Sequence, residues 1–390
     1  MGRRLYIIAG EASGDLHGGN LIAELFRLSG EPRVVSGESA SEADSPLTTH
    51  HSPLVVRAWG GDGMSAAGAE VVKHYRDLAF MGFTQVIMNL RTILRNIQLC
   101  KDDIAAFKPD AVVLIDYPGF NLRIADWAKA QGIQVFYYIS PQLWAWKENR
   151  IAIVKRAVDR MFCILPFEKD WYAQRGVEVD FVGHPLLDEL SKHHSLPTGE
   201  GRGGVIALLP GSRTQEITRM LPVMLDAAKH FPNERFVVAA APSVPQEFYH
   251  QLIGDARVEL VTGKTYDLLR QAKAAVVTSG TATLETALFG VPEVVCYSGS
   301  AINVWLARRL VKVKFISLVN LVMDREVVRE LVQQDMNAEA IRQELDRLLT
   351  DATYRDRMIG DLGALREKLG GPGASARTAD LLWKSLRSAS

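Results

Sequence analysis

The chain has 390 residues, of which 47% are hydrophobic, and this length and composition suit two or three domains with sizeable cores. Lysine plus arginine and aspartate plus glutamate both number 45, so the net charge does not favour nucleic acid and we expect no such partner. Cys100, Cys163 and Cys296 are far apart and lack disulfide or metal-binding spacing, which indicates a reducing cytoplasm. The apolar run after Arg4 is too short for a signal peptide and no run reaches transmembrane length, so we expect neither export by that route nor a membrane span.

Short runs rich in β-branched residues alternate with helical patterns along the whole chain, which is typical of parallel sheets. The predicted strands are LYIIA (5–9), AVVLID (111–116), QVFYYI (134–139), RMFCIL (160–165), VIALL (205–209), RFVVAA (235–240), AAVVT (274–278) and EVVCY (293–297). Each half opens with a strand, a glycine-containing turn and a helix. The sequence therefore predicts an α/β protein of two Rossmann-like domains that face one another across a cleft, with both glycine turns directed into it.

Breaks in composition place the domain boundaries. The segment 191–204 is rich in Ser, Pro and Gly and reads as a linker, and 36–53 reads as a flexible surface loop. The predicted divisions are an N-terminal domain over 1–190, a C-terminal domain over 205–353, and C-terminal helices over 354–390 that are broken at 370–373. The sequence does not indicate what these last helices pack against.

The stretch GEASGDLHGG (10–19) follows the first predicted strand and contains the candidate residues Glu11, Ser13 and Gly14. Such a loop could cradle a phosphate or let a sugar approach the backbone, and a plain strand-to-helix turn is an equal alternative. It is not a nucleotide-hydrolase loop, because no Lys-Ser/Thr pair follows the glycines, and its spacing does not fit GxGxxG.

Asp116 ends the predicted strand AVVLID and precedes a Pro-Gly turn. A carboxylate at the carboxyl end of a buried parallel strand is well placed to act as a general base. The alternative is that Asp116 caps the following turn or helix.

The stretch LLPGSRTQE (208–216) repeats the strand, turn and helix arrangement and adds Arg213 at the helix start. A guanidinium beside the free N–H groups near Gly211 and Ser212 suits a diphosphate. Arginine at a helix N-terminus opposes the helix dipole unless Glu216 or a bound anion offsets it, and this cost favours a functional role.

The stretch TSGTATLE (278–285) joins another predicted strand to a short helix. Unpaired N–H groups at Ser279, Gly280 and Thr281 would form an anion site, unless one of the local hydroxyls caps the helix. Glu285 lies one turn inside an otherwise apolar helix, where its carboxylate can accept two hydrogen bonds from a sugar diol. The combination indicates a nucleotide ribose next to a phosphate.

Two segments combine apolar and basic residues. SPQLWAWKENRIAIVKR (140–156) is either packed tryptophans with solvated cations or a basic rim for an anionic lipid or sugar phosphate. MGFTQVIMNLRTILRNI (81–97) places Phe83, Val86, Ile87, Leu90, Ile93 and Leu94 on one helical stripe. Such a stripe is a core face or the buried side of a helix lying on a membrane, with Arg91 and Arg95 near phosphates.

No DxD, HExxH or GxSxG motif occurs, so neither a metal site nor a serine hydrolase is predicted. The ordered set GEASGDLHG, IDYPGFN, SPQLWAW, LPFEKDWY, FVGHPL, LLPGSRTQEI and TSGTATLE resembles the lipid-A-disaccharide synthases over about residues 5–335. The resemblance implies a GT-B fold and an inverting glycosyltransferase that needs no metal or other cofactor. Its substrates would be UDP-2,3-diacylglucosamine and 2,3-diacylglucosamine 1-phosphate, which yield a β-1,6-linked disaccharide 1-phosphate and UDP.

The resemblance also implies roles for individual residues. Asp116 matches the essential aspartate, Arg213 the arginine of the PGSR turn, and Glu285 the ribose carboxylate. The loop at the diphosphate corresponds to 279–281, and SLVNLVMDREVV (317–328) resembles a segment near the uridine, with Asn320 and Arg325 in matching places.

The stripe from Phe83 to Leu94 resembles the family's exposed hydrophobic patch. This favours a cytoplasmic protein held peripherally at the inner membrane, and a homodimer is left open. The rival interpretations are another GT-B enzyme that uses a UDP-sugar, such as a UDP-N-acetylglucosamine 2-epimerase or a transferase with an undecaprenyl-linked acceptor, or a non-catalytic nucleotide-sugar-binding protein.

Overall fold

The computed structural model describes residues 2–30, 54–77, 90–192, 204–299 and 314–388. The chain divides into two compact units, the first formed by Met1–Asp188 with Gly371–Ser390 and the second by Glu189–Gly370. The predicted surface loop 36–53 and most of the predicted linker, 193–203, lie outside the described residues.

The first unit contains a parallel sheet of seven strands in the order β3-β2-β1-β4-β5-β6-β7. Its strands are β1 (Arg3–Ala9), β2 (Leu54–Gly60), β3 (Glu70–His74), β4 (Ala111–Ile115), β5 (Gln134–Tyr138), β6 (Arg160–Cys163) and β7 (Asp180–Phe181). Its helices are α1 (Ala12–Ser29), α2 (Asp62–Ala66), α3 (Leu90–Phe107), α4 (Pro118–Ala130), α5 (Ile151–Ala157), α6 (Pro166–Ala173) and the start of α7 (Leu186–Lys192), with 3-10 turns at Tyr75–Asp77 and Glu148–Arg150.

The second unit contains a parallel sheet of six strands in the order β10-β9-β8-β11-β12-β13. Its strands are β8 (Val205–Leu209), β9 (Arg235–Ala240), β10 (Val258–Thr262), β11 (Ala272–Thr278), β12 (Glu293–Tyr297) and β13 (Arg329–Val332). Its helices are α8 (Thr214–Ala228), α9 (Gln246–Ile253), α10 (Thr265–Gln271), α11 (Thr281–Leu288), α12 (Leu318–Met323), α13 (Ala338–Thr350) and α14 (Ala352–Lys368), with a 3-10 turn at Gln333–Asp335. The prediction of two Rossmann-like α/β domains with parallel sheets is confirmed.

Alternation along the central strands of the first unit gives the sheet a core on each face. Tyr6 and Ile8 of β1 lie in one cluster of buried residues. Leu5 and Ile7 lie in the other. Because both faces are covered, the central strands are apolar along most of their length, and polar residues at the carboxyl edge of the sheet stand out.

The C-terminal segment is shared between the two units. Helix α14 belongs to the second unit, whereas α15 (Ala374–Ser388) returns to the first unit and packs along α1. Leu382 and Leu386 of α15 are buried in the same core cluster as Leu5 and Ile7. The Asp188 carboxylate accepts hydrogen bonds from the backbone N–H groups of Gly373, Ala374 and Ser375 at 2.5, 3.1 and 2.9 Å, which caps the helix.

No helix within the described ranges combines the length and the apolar character that crossing a bilayer requires.

Candidate active site

The first glycine stretch is mostly helix. Because α1 begins at Ala12, Ser13 and Gly14 are helical residues, and only Gly10 and Glu11 connect β1 to α1. Of the two interpretations of 10–19, the strand-to-helix turn describes the backbone, and the turn itself is only two residues long. A Cβ atom at Gly18 would lie 2.0 Å from Met64 Cε, and one at Gly19 would lie 2.8 Å from the carbonyl oxygen of Gly63. These glycines allow α1 to pack closely on α2 and the sheet.

Asp15, which the sequence reading did not single out, fixes the same region. Its buried carboxylate accepts hydrogen bonds from the backbone N–H groups of Gly61, Gly63 and Met64 at 2.6, 2.9 and 3.1 Å. It therefore caps the short helix α2 from a neighbouring element. The clue in the sequence was an aspartate inside an amphipathic helix at a position that faces the sheet.

Asp116 follows β4 directly, in a conformation that few residues adopt. Asp116 and Tyr117 have φ angles of 45° and 46°, and two consecutive left-handed residues that are not glycine are costly. The carbonyl oxygen of Asp116 accepts hydrogen bonds from Asn121 Nδ2 at 2.8 Å and from the Tyr137 hydroxyl at 2.6 Å. These two side chains hold the strained turn, and Pro118 at the first position of α4 completes it.

The electrostatics around Asp116 suit proton transfer. Burial, reinforced by the nearby charge of Glu11, raises the pKa of the Asp116 carboxyl from its usual value to about 7. Glu11 lies close because β1 and β4 are adjacent strands, with Ala9 opposite Ile115. A carboxyl that titrates near neutral pH can both take up and release a proton under working conditions, as a general base must.

The PGSR turn carries an exposed arginine at the start of α8. Gly211 has a φ of 111°, and a Cβ atom there would lie 2.7 Å from Glu216 Oε2. Glu216 accepts hydrogen bonds from Arg213 Nη1 at 2.7 Å and from the backbone N–H of Ser212 at 3.2 Å. Glu216 therefore offsets part of the cost of placing Arg213 at this helix end, while 56% of the arginine side chain remains exposed.

Helix α11 begins with an uncapped N-terminus. Gly280 is the N-cap residue, and no side chain caps this end in the described part of the chain. The hydroxyl of Ser279 donates instead to the carbonyl oxygen of Ile316 at 3.3 Å, and Thr283 donates to Gly280 O at 2.8 Å. The alternative that a local hydroxyl caps the helix is therefore wrong, and Gly280 and Thr281 at this helix end are exposed.

Glu285 lies one turn into α11 and is half-buried. Burial raises the pKa of its carboxyl, and no side chain or backbone group of the described residues forms a hydrogen bond or ion pair with it. Strands β8 and β11 are neighbours, with Leu209 opposite Val277, so the turns after them lie side by side at one edge of the sheet. Arg213, the α11 N-terminus and Glu285 thus belong to one face of the second unit.

Asn320 and Arg325 are both engaged within the protein. The buried Asn320 amide donates to Val328 O at 2.8 Å and Glu330 Oε1 at 2.9 Å, and its oxygen accepts from the N–H groups of Val327 and Val328. Its side chain has no hydrogen-bonding capacity left for a ligand, so it shapes the turn after α12. Arg325 forms a two-bond ion pair with Asp361 of α14.

The segment after β5 is held by a buried carboxylate of α6. Glu168 is 1% exposed and accepts hydrogen bonds from Ser140 Oγ at 2.7 Å, Trp144 Nε1 at 3.0 Å and Leu165 N at 2.9 Å. Burial raises its pKa, although these donors act in the opposite direction. Trp144 therefore anchors the segment, whereas Trp146 is 40% exposed.

Only the C-terminal end of the predicted hydrophobic patch lies within the described residues. Phe83, Val86 and Ile87 lie outside the described residues, and Leu90 is the first described residue of α3. Ile93 packs against the core. Leu94 is 53% exposed, with Arg91 and Arg95 exposed beside it.

Across the described ranges, no three His, Cys, Asp or Glu side chains are grouped so that they could hold a metal ion. Cys100, Cys163 and Cys296 are buried free thiols.

Comparison with known proteins gives the family. The family model described as lipid-A-disaccharide synthetase matches residues 5–366. The lipid-A-disaccharide synthase of Syntrophus aciditrophicus is 42% identical over 386 residues, covering 96% of this chain and 95% of the relative.

Solved structures with much lower identity share the fold. The UDP-GlcNAc 2-epimerase from Neisseria meningitidis bound to UDP-GlcNAc has a TM-score of 0.62 at 14% identity, covering 98% of this chain and all of that one. The glycotransferase of kitacinnamycin has a TM-score of 0.64 at 14% identity, covering 99% and 100%. The chain belongs to the lipid-A-disaccharide synthetase family and is a glycosyltransferase.

Proposed function

We propose that the protein transfers 2,3-diacylglucosamine from UDP to the 6-hydroxyl of 2,3-diacylglucosamine 1-phosphate with inversion at the anomeric carbon. The products are the β-1,6-linked disaccharide 1-phosphate and UDP. The observation that carries this proposal is the Asp116 carboxyl, which is held in a strained turn at a strand end and has a pKa of about 7. Family membership supplies the substrates.

The second unit binds the donor. The uncapped N-terminus of α11, at 279–281, faces the diphosphate together with Arg213 and the backbone of Gly211 and Ser212. Glu285 accepts hydrogen bonds from the ribose diol, which gives its otherwise unpartnered carboxylate a role. Asn320 and Arg325 hold the backbone after α12 that borders the nucleotide.

The first unit presents the acceptor. Asp116 takes the proton of the 6-hydroxyl while that oxygen attacks the anomeric carbon on the face opposite UDP. One displacement therefore inverts the configuration. Glu11, at the adjacent strand end, keeps the basicity of Asp116 high through its negative charge.

Charge that develops on the departing diphosphate is stabilised by donors that are in position before the reaction. The α11 N–H groups and the Arg213 guanidinium are such donors, and preorganised donors of this kind are worth several kcal/mol in transition states. We infer that this transfer proceeds without a divalent cation.

The acyl chains of both substrates require contact with a lipid surface. The exposed Leu94, with Arg91 and Arg95 beside it, lies near the N-terminal end of α3 and continues the sequence stripe of Phe83, Val86, Ile87 and Leu90, whereas Ile93 belongs to the core face. We propose that this stripe places the protein peripherally on the cytoplasmic face of the inner membrane.

The direct test is to incubate purified protein with UDP-2,3-diacylglucosamine and 2,3-diacylglucosamine 1-phosphate in the presence of a chelator. Mass spectrometry should show the disaccharide 1-phosphate, and UDP should be released only when both substrates are present. Epimerised UDP-sugar without acceptor, or turnover that does not depend on acyl chains, would favour a 2-epimerase or another GT-B transferase. UDP binding without any turnover would indicate a non-catalytic nucleotide-sugar-binding protein.

A further inference from the structure

Three cations lie at the same edge of the first sheet as Asp116. Arg123 is in the second turn of α4, which follows β4, and Lys147 and Arg150 are in the segment after β5. Strands β4 and β5 are parallel neighbours, with Ile115 opposite Tyr138. The carboxyl ends of these strands therefore bring the three cations and Asp116 to one edge of the first unit.

Tyr137 connects this cluster to the candidate base. Its hydroxyl donates to the carbonyl oxygen of Asp116 at 2.6 Å. The charge of Arg150 acts on the same tyrosine. Arg150 and the strained turn at Asp116 are therefore both close to one buried side chain.

The three cations have no acceptor within the described part of the chain, although their neighbours do. Arg156 forms two hydrogen bonds with Asp126, at 2.7 and 3.0 Å, and Arg175 pairs with Glu148 at 2.8 Å. Asp126 and Glu148 are thus already paired with other arginines. Lys147 lies instead over the ring of Trp146, 4.3 Å from its centroid.

Placing these three cationic side chains together without paired carboxylates raises the electrostatic energy of the folded protein. Burial, followed by the charges of Arg150 and Arg123, lowers the pKa of Lys147, and burial with Arg123 lowers the pKa of Arg150. Lys147 also has a φ of 55°, so the backbone is strained where the cluster forms. A bound anion would relieve the mutual repulsion of the three cations.

We propose that Arg123, Lys147 and Arg150 bind the phosphate monoester of the acceptor sugar. This inference rests on the proposed function, in which the first unit presents the acceptor. A phosphate monoester carries a charge of about −1.5 to −2 at pH 7 and three acceptor oxygens, which suits two guanidinium groups and one ammonium. Binding the phosphate here orients the sugar so that its free hydroxyl reaches Asp116.

The experiment compares two acceptors, 2,3-diacylglucosamine with and without its 1-phosphate, in detergent micelles. Arg150→Gln, Lys147→Gln and Arg123→Gln should each raise KM for the phosphorylated acceptor about tenfold to a hundredfold, the range of a lost charge-assisted hydrogen bond. With the acceptor that lacks phosphate, KM should match that of the wild type. UDP affinity should be unchanged in all three variants, because the donor is held by the second unit.

Arg156→Gln is the matched control, since it removes an arginine from the next helix that is already paired with Asp126. It should leave KM for both acceptors unchanged. An equal rise in KM for both acceptors would overturn the proposal. So would a rise in KM for the Arg156→Gln control as large as that of the cluster variants. Thermal unfolding of each variant separates such losses from misfolding.

Two further measurements identify the source of the phosphate and separate this inference from the proposed function. Sedimentation with anionic phosphatidylglycerol vesicles that lack acceptor should be the same for wild type and variants, and a loss confined to vesicle binding would assign the cluster to lipid headgroups instead. If the wild type transfers no sugar to either acceptor, the proposed function fails. In that case calorimetry with glucosamine 1-phosphate still tests the cluster, because only wild type and Arg156→Gln should bind it.

Discussion

The two units begin with the same sequence pattern and use it differently. In the first unit, the glycines after β1 are buried inside α1 and allow close contact with Met64 and the backbone of Gly63. In the second unit, Gly211 occupies a left-handed turn before α8, and Arg213 beside it is exposed. The junction between β1 and α1 is buried by packing, whereas the junction between β8 and α8 exposes hydrogen-bond donors to solvent.

This difference indicates that the two units have different tasks. Close packing in the first unit accompanies the strained backbone turn that carries Asp116, which suits the proton-transfer role proposed for this residue. The second unit exposes the N-terminus of α11 and part of the Arg213 guanidinium, which suits a ligand with several negative charges. The predictions below test each side of this contrast.

The largest effect is expected at Asp116. Asp116→Asn should lower kcat about a hundredfold or more, because asparagine cannot accept the proton, while UDP affinity stays unchanged. In the wild type, kcat/KM should rise as the pH passes through about 7, where Asp116 loses its proton. Steady-state kinetics from pH 5 to 9, with UDP titrations on both proteins, measure this.

Stability provides the control for that variant. The pKa of Asp116 is about 7 in the folded state and about 4 in the unfolded chain. Between these pH values the unfolded chain has already lost the proton, so the free energy of unfolding falls as the pH rises from about 4 to about 7. Asp116→Asn removes this loss and should therefore be at least as stable as the wild type at pH 8. A near wild-type turnover rate would contradict the assignment of Asp116 as the base.

The second prediction tests the closed junction by comparing two helix glycines. Gly19→Ala places a Cβ atom 2.8 Å from a backbone oxygen, and overpacking of this kind costs about 1–3 kcal/mol of unfolding free energy. Gly363→Ala lies in an exposed helical position with nothing within 4 Å of the new atom, so it should stabilise by up to about 1 kcal/mol. Urea unfolding that gave both variants the same sign would contradict the packing role.

The central strands were predictable because each is buried on both faces and therefore apolar along its length. The strands that the sequence did not reveal are β2, β3, β7, β10 and β13, and all but β2 are edge strands. An edge strand has one neighbour and partly exposed residues, as in EVVKH of β3, so its pattern resembles that of a loop. In β2, Arg57 interrupts the apolar run and pairs with Glu70 and Asp103.

The ends of the predicted strands located the candidate site residues. The hydrogen-bond partners of the buried polar residues could not be predicted in this way. Asp116 ends one predicted strand, and Arg213 and Ser279 follow two others; the structure places the three residues just after β4, β8 and β11. The caps made by Asp15 and Asp188 join residues far apart in sequence, so local patterns do not identify the N–H groups that these carboxylates bind. The saturated Asn320 amide is likewise visible only once the turn at Val327 and Val328 is folded around it.

The third prediction tests the open junction. Arg213→Gln should weaken UDP binding about tenfold, the effect of losing a charge-assisted contact to the diphosphate, and should change thermal stability little because the side chain is 56% exposed. Arg219→Gln removes the same charge from an exposed position of the same helix and serves as the control. Calorimetric titration should show wild-type affinity for Arg219→Gln, and equal losses in both variants would mean that only net charge matters.

The smallest effect, and the most specific one, is expected at Glu285. If its carboxylate accepts hydrogen bonds from the ribose diol, Glu285→Gln should weaken UDP binding about threefold to tenfold, the usual value of such bonds. The wild type should prefer UDP to 2′-deoxy-UDP, and the variant should lose most of that preference, because the missing hydroxyl no longer matters once its acceptor is changed.

The pH dependence of binding separates this role of Glu285 from a structural one. Burial raises the pKa of Glu285, and the ionised form is the one that accepts both hydrogen bonds. The wild type should therefore lose UDP affinity as the pH falls through that raised pKa. Glu285→Gln should not show this pH-dependent loss. A carboxylate that merely packed within α11 would leave the ratio of UDP to 2′-deoxy-UDP affinity the same in both proteins at every pH, since neither ligand would contact it.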